Sequence, residues 1–324
     1  MKVKKQKSAT KSKKHADLLF YCVMMAFPVI QFCLMWIGTN FNSILLAFKE
    51  YDVNYNYTWT LHNFERVLTG IITDSGIQRS LLNSGIFWLC AQCLTIPVSL
   101  LISFYFYKRY LGSKVLKNIF FLPSVVSGVV TVTIFYYLAD RGYPLLMKQL
   151  FNVDATGLLV NNQTQMALLI FYNVFYSLAG GFLFFSSAMC GIDESISEAA
   201  QVDGATPMQE FRHVTLPLIF PTLSVWFVAS TATIFTSDFS MYAFFKTSGG
   251  TEVTSMGFYF MRGLTTWGER EYPYFAAFGL VLTVFACAII FPLRAIVNRM
   301  DPMRDVDGAL AAKKRKTKEA KEDG

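Results

Sequence analysis

Cys90 and Cys93 form a CxxC, a spacing that in a soluble protein would suit thiol redox chemistry or a metal. They lie among Leu, Ile and Trp with no second pair of ligands, and the pattern reads as inert thiols in an apolar segment. His15, His62 and His213 are far apart, and no zinc motif joins them. No GxxxxGK[ST] stretch occurs, so this chain offers no loop to cradle nucleotide phosphates. Asp238 is a lone carboxylate near the end of an apolar run, and an acid in such a place is a functional candidate or a hydrated headgroup-level residue. None of these groups makes a catalytic constellation. The informative chemistry is that of docking and passage.

The stretch from Ser195 to Pro217 carries the docking pattern. Ser195 precedes Glu198 by three, and Thr206 precedes Gln209 by three with Pro207 at the first helical position. Both are capping-box spacings that satisfy free amides at a helix start. Gly204 falls where the first helix should end, because glycine accepts the left-handed C-cap conformation. Ala199 and Ala200 leave one face without bulk, so a partner surface can approach closely. Asp193, Glu194, Glu198, Asp203 and Glu210 stand against Arg212, so this acidic loop of a basic protein suits a basic docking partner.

A second pattern suits passage of a polar solute. Trp226, Ser230, Thr233, Ser237 and Ser240 recur at three- and four-residue steps, and Asn173, Ser177, Gly180 and Phe184 do the same, flanked by Tyr172 and Tyr176. Hydroxyls and aromatic rings match a sugar's own hydroxyls and its apolar ring face. The same stripes also serve as ordinary helix-packing glue in membranes, and Gly180-Gly181 reads as a hinge or a close-packing point.

The elements that must position these residues are membrane helices. The chain of 324 residues is 53% hydrophobic with 31 Phe, a mean hydropathy of +0.38 and 16% charge, where soluble domains carry about 25%. Apolar runs near the ~20 residues that a bilayer core requires fall at about 18–48, 81–107, 116–138, 166–190, 218–242 and 274–297. That predicts an all-α protein of six transmembrane helices. Residues 1–17 form a basic tail touching anionic lipid, 18–48 the first helix, 49–79 an outer loop, 80–299 the transmembrane core with the loop 191–217, and 300–324 a second basic tail. The first run is too long for a signal peptide and has no cleavage site. Lys108, Arg109, Lys114 and Lys117 in one short loop, with the basic tails, place both termini in the cytoplasm. The net charge of +7 gathers beside apolar runs rather than on a nucleic-acid-binding face.

Glu198-Ala199-Ala200, Asp203-Gly204-Ala205, Phe211, Val214 and Leu216-Pro217 resemble the EAA loop of ABC importer permeases, with Val214 where isoleucine is commonest. The resemblance implies that Glu198, Ala199, Ala200, Asp203, Gly204, Ala205, Phe211, Leu216 and Pro217 form a cytoplasmic coupling helix docked in a cleft of an ATPase dimer. It implies further that ATP and Mg sit on that partner and not in this chain. A second, non-identical permease and an outer solute-binding protein complete the assembly in a bacterial cytoplasmic membrane. Phe48-Lys49-Glu50-Tyr51-Asp52, Leu61-His62-Asn63-Phe64, Phe121-Leu122-Pro123-Ser124 with Ser127, Met256–Arg262 and Tyr274–Ala277 are similar to the carbohydrate type, that of the maltose and glycerol-phosphate importers. The large extra outer domain of the enterobacterial maltose subunit is absent. The expected function is thus sugar or oligosaccharide import by alternating access, without catalysis in this chain. The substrate path would comprise Asn173, Tyr176, Ser177, Gly180, Ser230, Thr233, Ser237 and Asp238. The rivals are another ABC cargo (peptide, amino acid or a glycerol phosphodiester), an ion-coupled carrier, and a membrane scaffold.

Overall fold

The computed structural model describes residues 18, 20–246 and 253–302. Both basic tails, residues 1–17 and nearly all of 300–324, lie outside the described residues. Helix α1 (Phe20–Leu46) leads into an antiparallel hairpin of β1 (Lys49–Tyr51) and β2 (Tyr57–Trp59), which pairs Lys49 with Trp59 and Tyr51 with Tyr57. Then come α2 (His62–Thr73), α3 (Ser75–Tyr107), α4 (Ser113–Val125), α5 (Gly128–Phe151), α6 (Asn162–Cys190), α7 (Glu194–Val202), α8 (Pro207–Ala232), α9 (Met241–Phe245), α10 (Met256–Thr266) and α11 (Glu269–Arg299). Among the described residues, five helices are long and apolar enough to cross a membrane, and the bent pair α4–α5 makes a sixth if it counts as one span.

Two of the expected spans are reshaped. The third is not continuous: α4 and α5 meet at 99° because Val126 and Ser127 are both extended. The fifth ends at Ala232 instead of running to 242. Its last turn is crowded with hydroxyls that bond back to the helix carbonyls: Ser230 and Thr231 donate to Phe227 O, and Thr233 donates to Ser230 O. Such back-bonding competes with the helical ladder. The stretch 49–79 is likewise not an open loop, since it holds the hairpin, α2 and the start of α3. Asp74 caps α3, accepting from the amides of Gly76 and Ile77.

The chain divides into two compact units. One comprises the described residues up to Thr69 together with Gly268–Val281. In it Asn63 donates to the carbonyls of Ala47 and Lys49, and Arg66 pairs with Glu271 while lying over the Tyr274 ring. The other unit holds the described residues of Gly70–Trp267 and those from Leu282 onward, and it contains every residue of the docking and passage patterns. Its centre is the crossing of α3 and α6. A Cβ on Gly181 would lie 2.5 Å from Ser99 Oγ, and Ser103 donates to Phe182 O at 2.9 Å. Small residues here let two backbones approach, as membrane helices require. Gly181 is the close-packing point; among the described residues, Gly180 has nothing from a neighbouring element within 4 Å of its would-be Cβ.

Candidate functional site: a capped hairpin and a polar cavity

The hairpin of α7 and the start of α8 forms as a locally specified unit. Asp193, extended, caps α7 by accepting from Ser195 N at 3.0 Å. This bond holds the Asp193 carboxyl below the ordinary carboxylate range. The expected Ser195–Glu198 capping box is therefore not formed, because Ser195 is already the second helical residue. Glu198 is left exposed and, among the described residues, makes no ion pair. The second box forms as expected: Thr206 caps α8, its hydroxyl accepting from Gln209 N while Gln209 Oε1 accepts from Thr206 N at 2.8 Å. Between the helices Gly204 has φ +77°. Gly204 N donates to Gln201 O and Ala205 N to Ala200 O, the two bonds of a Schellman motif.

The residues of the docking pattern separate into two groups. Glu198, Ala199, Asp203 and Gly204 are exposed, with Ala200 and Ala205 half-buried. Phe211 and Leu216 instead face inward, beside a cluster of Leu100, Phe104, Phe185, Met189 and Ile219; the Phe211 ring lies 5.1 Å from that of Phe104. They anchor the hairpin rather than present it, and Pro217 is half-buried at the same place. Val202 at 86% exposure and Met208 at 63% are apolar side chains that the sequence reading passed over. Glu198 and Gln201 also line a cavity of about 920 Å³ whose far wall is the loop carrying Arg109, Lys114 and Lys117.

The passage residues converge more closely. Asn173, Ser177, Ser230, Thr233 and Ser237 line one cavity of about 180 Å³ with Trp226 and Phe239. Asn173 donates to Phe239 O at 2.9 Å and to Leu169 O at 2.8 Å, so it also holds the non-helical stretch after α8 in place. A third wall comes from α3: Trp88, Gln92 and Thr95. Trp88 Nε1, Gln92 Oε1 and Thr95 Oγ1 are buried with no hydrogen-bond partner among the described residues, an arrangement that calls for a polar guest. The signal for this wall was present in the sequence, because positions 88, 92, 95 and 99 recur at helical steps.

Three expected path residues are elsewhere. The Tyr176 ring stacks on Tyr172 with centroids 6.0 Å apart, and its hydroxyl lies near Gly128 at the start of α5. Gly180 does not reach the cavity. Asp238 bonds through its carboxylate to the amides of Ser240 and Tyr242 at the start of α9, a capping role. Ser237 and Ser240 are not on the α8 face, since that helix has already ended. Cys90 and Cys93 are free thiols, and among the described residues no three His, Cys, Asp or Glu side chains gather to hold a metal.

Comparison with known proteins agrees with this architecture. The family model described as a binding-protein-dependent transport system inner membrane component matches residues 95–303. A probable ABC transporter permease protein of Mycoplasma pneumoniae, the MG188 homolog, is 25% identical over 207 residues, which are 60% of this chain and 63% of that protein. The sn-glycerol-3-phosphate transport system permease protein UgpA of Yersinia pseudotuberculosis is 31% identical over 137 residues, 42% of this chain and 44% of UgpA. The chain thus spans less than two thirds of the length of both relatives. A chain of a bacterial alginate ABC transporter, solved with an alginate pentasaccharide-bound periplasmic protein, has a TM-score of 0.72 at 20% identity. That match covers 90% of this chain and 98% of the other, and it speaks to the fold.

Proposed function

Because the chain belongs to the family of binding-protein-dependent transport system inner membrane components, we propose that it is the permease subunit of an ATP-driven importer whose cargo is a neutral sugar or oligosaccharide. The hairpin Asp193–Pro217 is the coupling element. Glu198, Ala199, Asp203 and Gly204, with the apolar tips Val202 and Met208, dock on a separate ATPase that carries ATP and Mg. A dimeric ATPase offers two clefts and this chain one hairpin, so a second permease completes the assembly. A solute-binding protein delivers cargo from outside, and both termini lie in the cytoplasm.

The observation that carries the cargo class is the lining of the cavity among α3, α6 and α8. Among the described residues it holds hydroxyls, amides and two tryptophans beside Ala91, Ile96, Ile234 and Phe239, three of its polar atoms have no hydrogen-bond partner, and no charged side chain lines it. Stacking rings and fixed hydrogen-bonding groups suit a polyhydroxylated ring. An anionic cargo would want a cation there, so a glycerol phosphodiester or a phosphate ester is disfavoured. An ion-coupled carrier would want an intramembrane charge, and Asp238 is engaged as a cap.

The test is purification of the affinity-tagged chain from its native membrane. An ATP-hydrolysing subunit should accompany it, and Glu198→Arg should lose that subunit. Uptake of a panel of labelled neutral oligosaccharides should fall with Asn173→Leu and Gln92→Leu. Uptake that proceeds with no ATPase present would overturn the importer reading. Full sugar uptake by both cavity variants would remove the cavity from the path.

A further inference from the structure

Lys108 differs from the other cations of its loop. It directly follows α3, closing that helix with its amide to Phe104 O. Arg109, Lys114 and Lys117 are exposed, whereas the Lys108 side chain is only 12% exposed and its Nζ lies 2.5 Å from Glu210 Oε1, itself 3% exposed. Ser197 completes the group: its hydroxyl accepts from Lys108 Nζ at 2.7 Å and donates to Glu210 Oε1 at 2.8 Å. Gln201 Nε2 approaches the same hydroxyl at 3.4 Å. The three charged or hydroxyl groups belong to three different elements, the end of α3, the middle of α7 and the first turn of α8. Beside them the Phe104 and Phe211 rings make an apolar contact between the same two long helices.

A lysine needed only for membrane orientation would stay in water, where its charge costs nothing. A buried ion pair adds little net stability over apolar residues of the same shape, but it tolerates one arrangement and penalises others. Those properties suit a part that must hold a register. We propose that Lys108, Glu210 and Ser197 form a pin that locks the hairpin to the end of α3, so that displacement of the hairpin reaches the cavity wall formed by Trp88, Gln92 and Thr95 on that helix. Lys108 and Glu210 are positioning residues in this scheme. Neither belongs to the exposed docking face, and neither lines the cavity among α3, α6 and α8. The inference rests on the reading of the hairpin as the ATPase-coupled element.

The experiment uses the assembled transporter in lipid nanodiscs, with native cysteines replaced and Ser230→Cys as a reporter in the cavity. A membrane-impermeant maleimide reads cavity accessibility before and after trapping with ATP and vanadate. In the parent the trapped state should change the labelling rate. With Lys108→Met the ATPase should still co-purify and hydrolyse ATP, while the trap-induced change in labelling falls about tenfold, within the span of ordinary coupling energies. Lys108→Arg should retain part of the change, and the exchange Lys108→Glu with Glu210→Lys should restore it. An undiminished change in assembled Lys108→Met overturns the pin. Should that variant not assemble, the double exchange decides: assembled, hydrolysing ATP and lacking the change, it counts against the proposal. Failure of the importer reading looks different, since no ATPase would then accompany even the parent chain.

Discussion

Gly257→Ala is expected to destabilise the protein far more than its one added methyl suggests. Gly257 opens α10 and packs against the main chain of the non-helical stretch that walls the cavity. A Cβ there would lie 2.6 Å from Thr236 O and nearer still to the Ser237 carbonyl group, whereas ordinary contact begins at 3.4 Å. The shortfall at Thr236 alone is about 0.8 Å, and the obstacle is backbone, which cannot rotate aside as a side chain would. Overpacking of this kind costs about 1–3 kcal/mol. Moving Ser237 also strains the bond from Ser255 Oγ to Ser237 O, now 3.3 Å, which adds roughly 1 kcal/mol. The sum is about 2–4 kcal/mol, a lowering of thermal stability by about 3–6 °C for a chain of this size. The assay is the temperature at which half of the detergent-solubilised protein remains monodisperse. Gly180→Ala is the control: its added methyl meets nothing within 4 Å, and removing a helical glycine should leave stability equal or higher. If Gly257→Ala melts with the parent, or if both variants fall together, the close approach of α10 to Ser237 is not what holds this wall.

Three further outcomes are expected. Gly204→Val forces a β-branched residue into φ +77° and should cost about 1–2 kcal/mol; faster hydrogen exchange at 200–205, largely avoided by Gly204→Asn, would show it. Gly181→Ala should lower thermal stability by pressing on Ser99, and Ser99→Gly should recover most of the loss; an equal loss in the double variant would refute the contact. Asp193 caps α7 only as the carboxylate, and its pKa is lowered by the Ser195 amide. The cap's stabilisation is therefore full above the ordinary carboxylate range and disappears as pH falls through the lowered value. Exchange at Ser195 should accelerate in acid, and Asp193→Ala should abolish that pH dependence.

What could be read from the chain follows the range of the forces involved. Thr206, Pro207 and Gln209 specify their cap among themselves, and Gly204 needs only its own backbone, so both were legible. Asp193 and Ser195 are rival caps for one helix, each satisfying different amides, and spacing alone cannot decide which residue enters the helix first. The number of apolar runs gave the spans, but mean apolarity does not record the extended pair Val126-Ser127 or the hydroxyl-rich turn that ends α8. The cavity was half legible. Asn173, Ser177, Ser230 and Thr233 stand out by their helical steps on the helices flanking the hairpin, while Trp88, Gln92 and Thr95 lie on a helix that does not adjoin it in sequence. Asp238 looked functional for its charge and proves to be occupied by the amides of Ser240 and Tyr242. The Lys108–Glu210 pair could not be seen at all, since 102 positions of chain separate two residues that only the fold brings together.

The unwound stretch 233–240 also constrains how the protein enters its bilayer. A backbone without a helical ladder cannot be left facing hydrocarbon, where each bare amide or carbonyl costs several kcal/mol, roughly. Its partners lie on both sides of it in the chain. Asn173, which takes the Phe239 carbonyl, has already been synthesised when this stretch emerges, but Ser255, which bonds the Ser237 carbonyl, has not. Release of α8 to lipid ahead of α10 would leave the Ser237 carbonyl without its Ser255 partner, so the two segments are expected to settle together against α3 and α6.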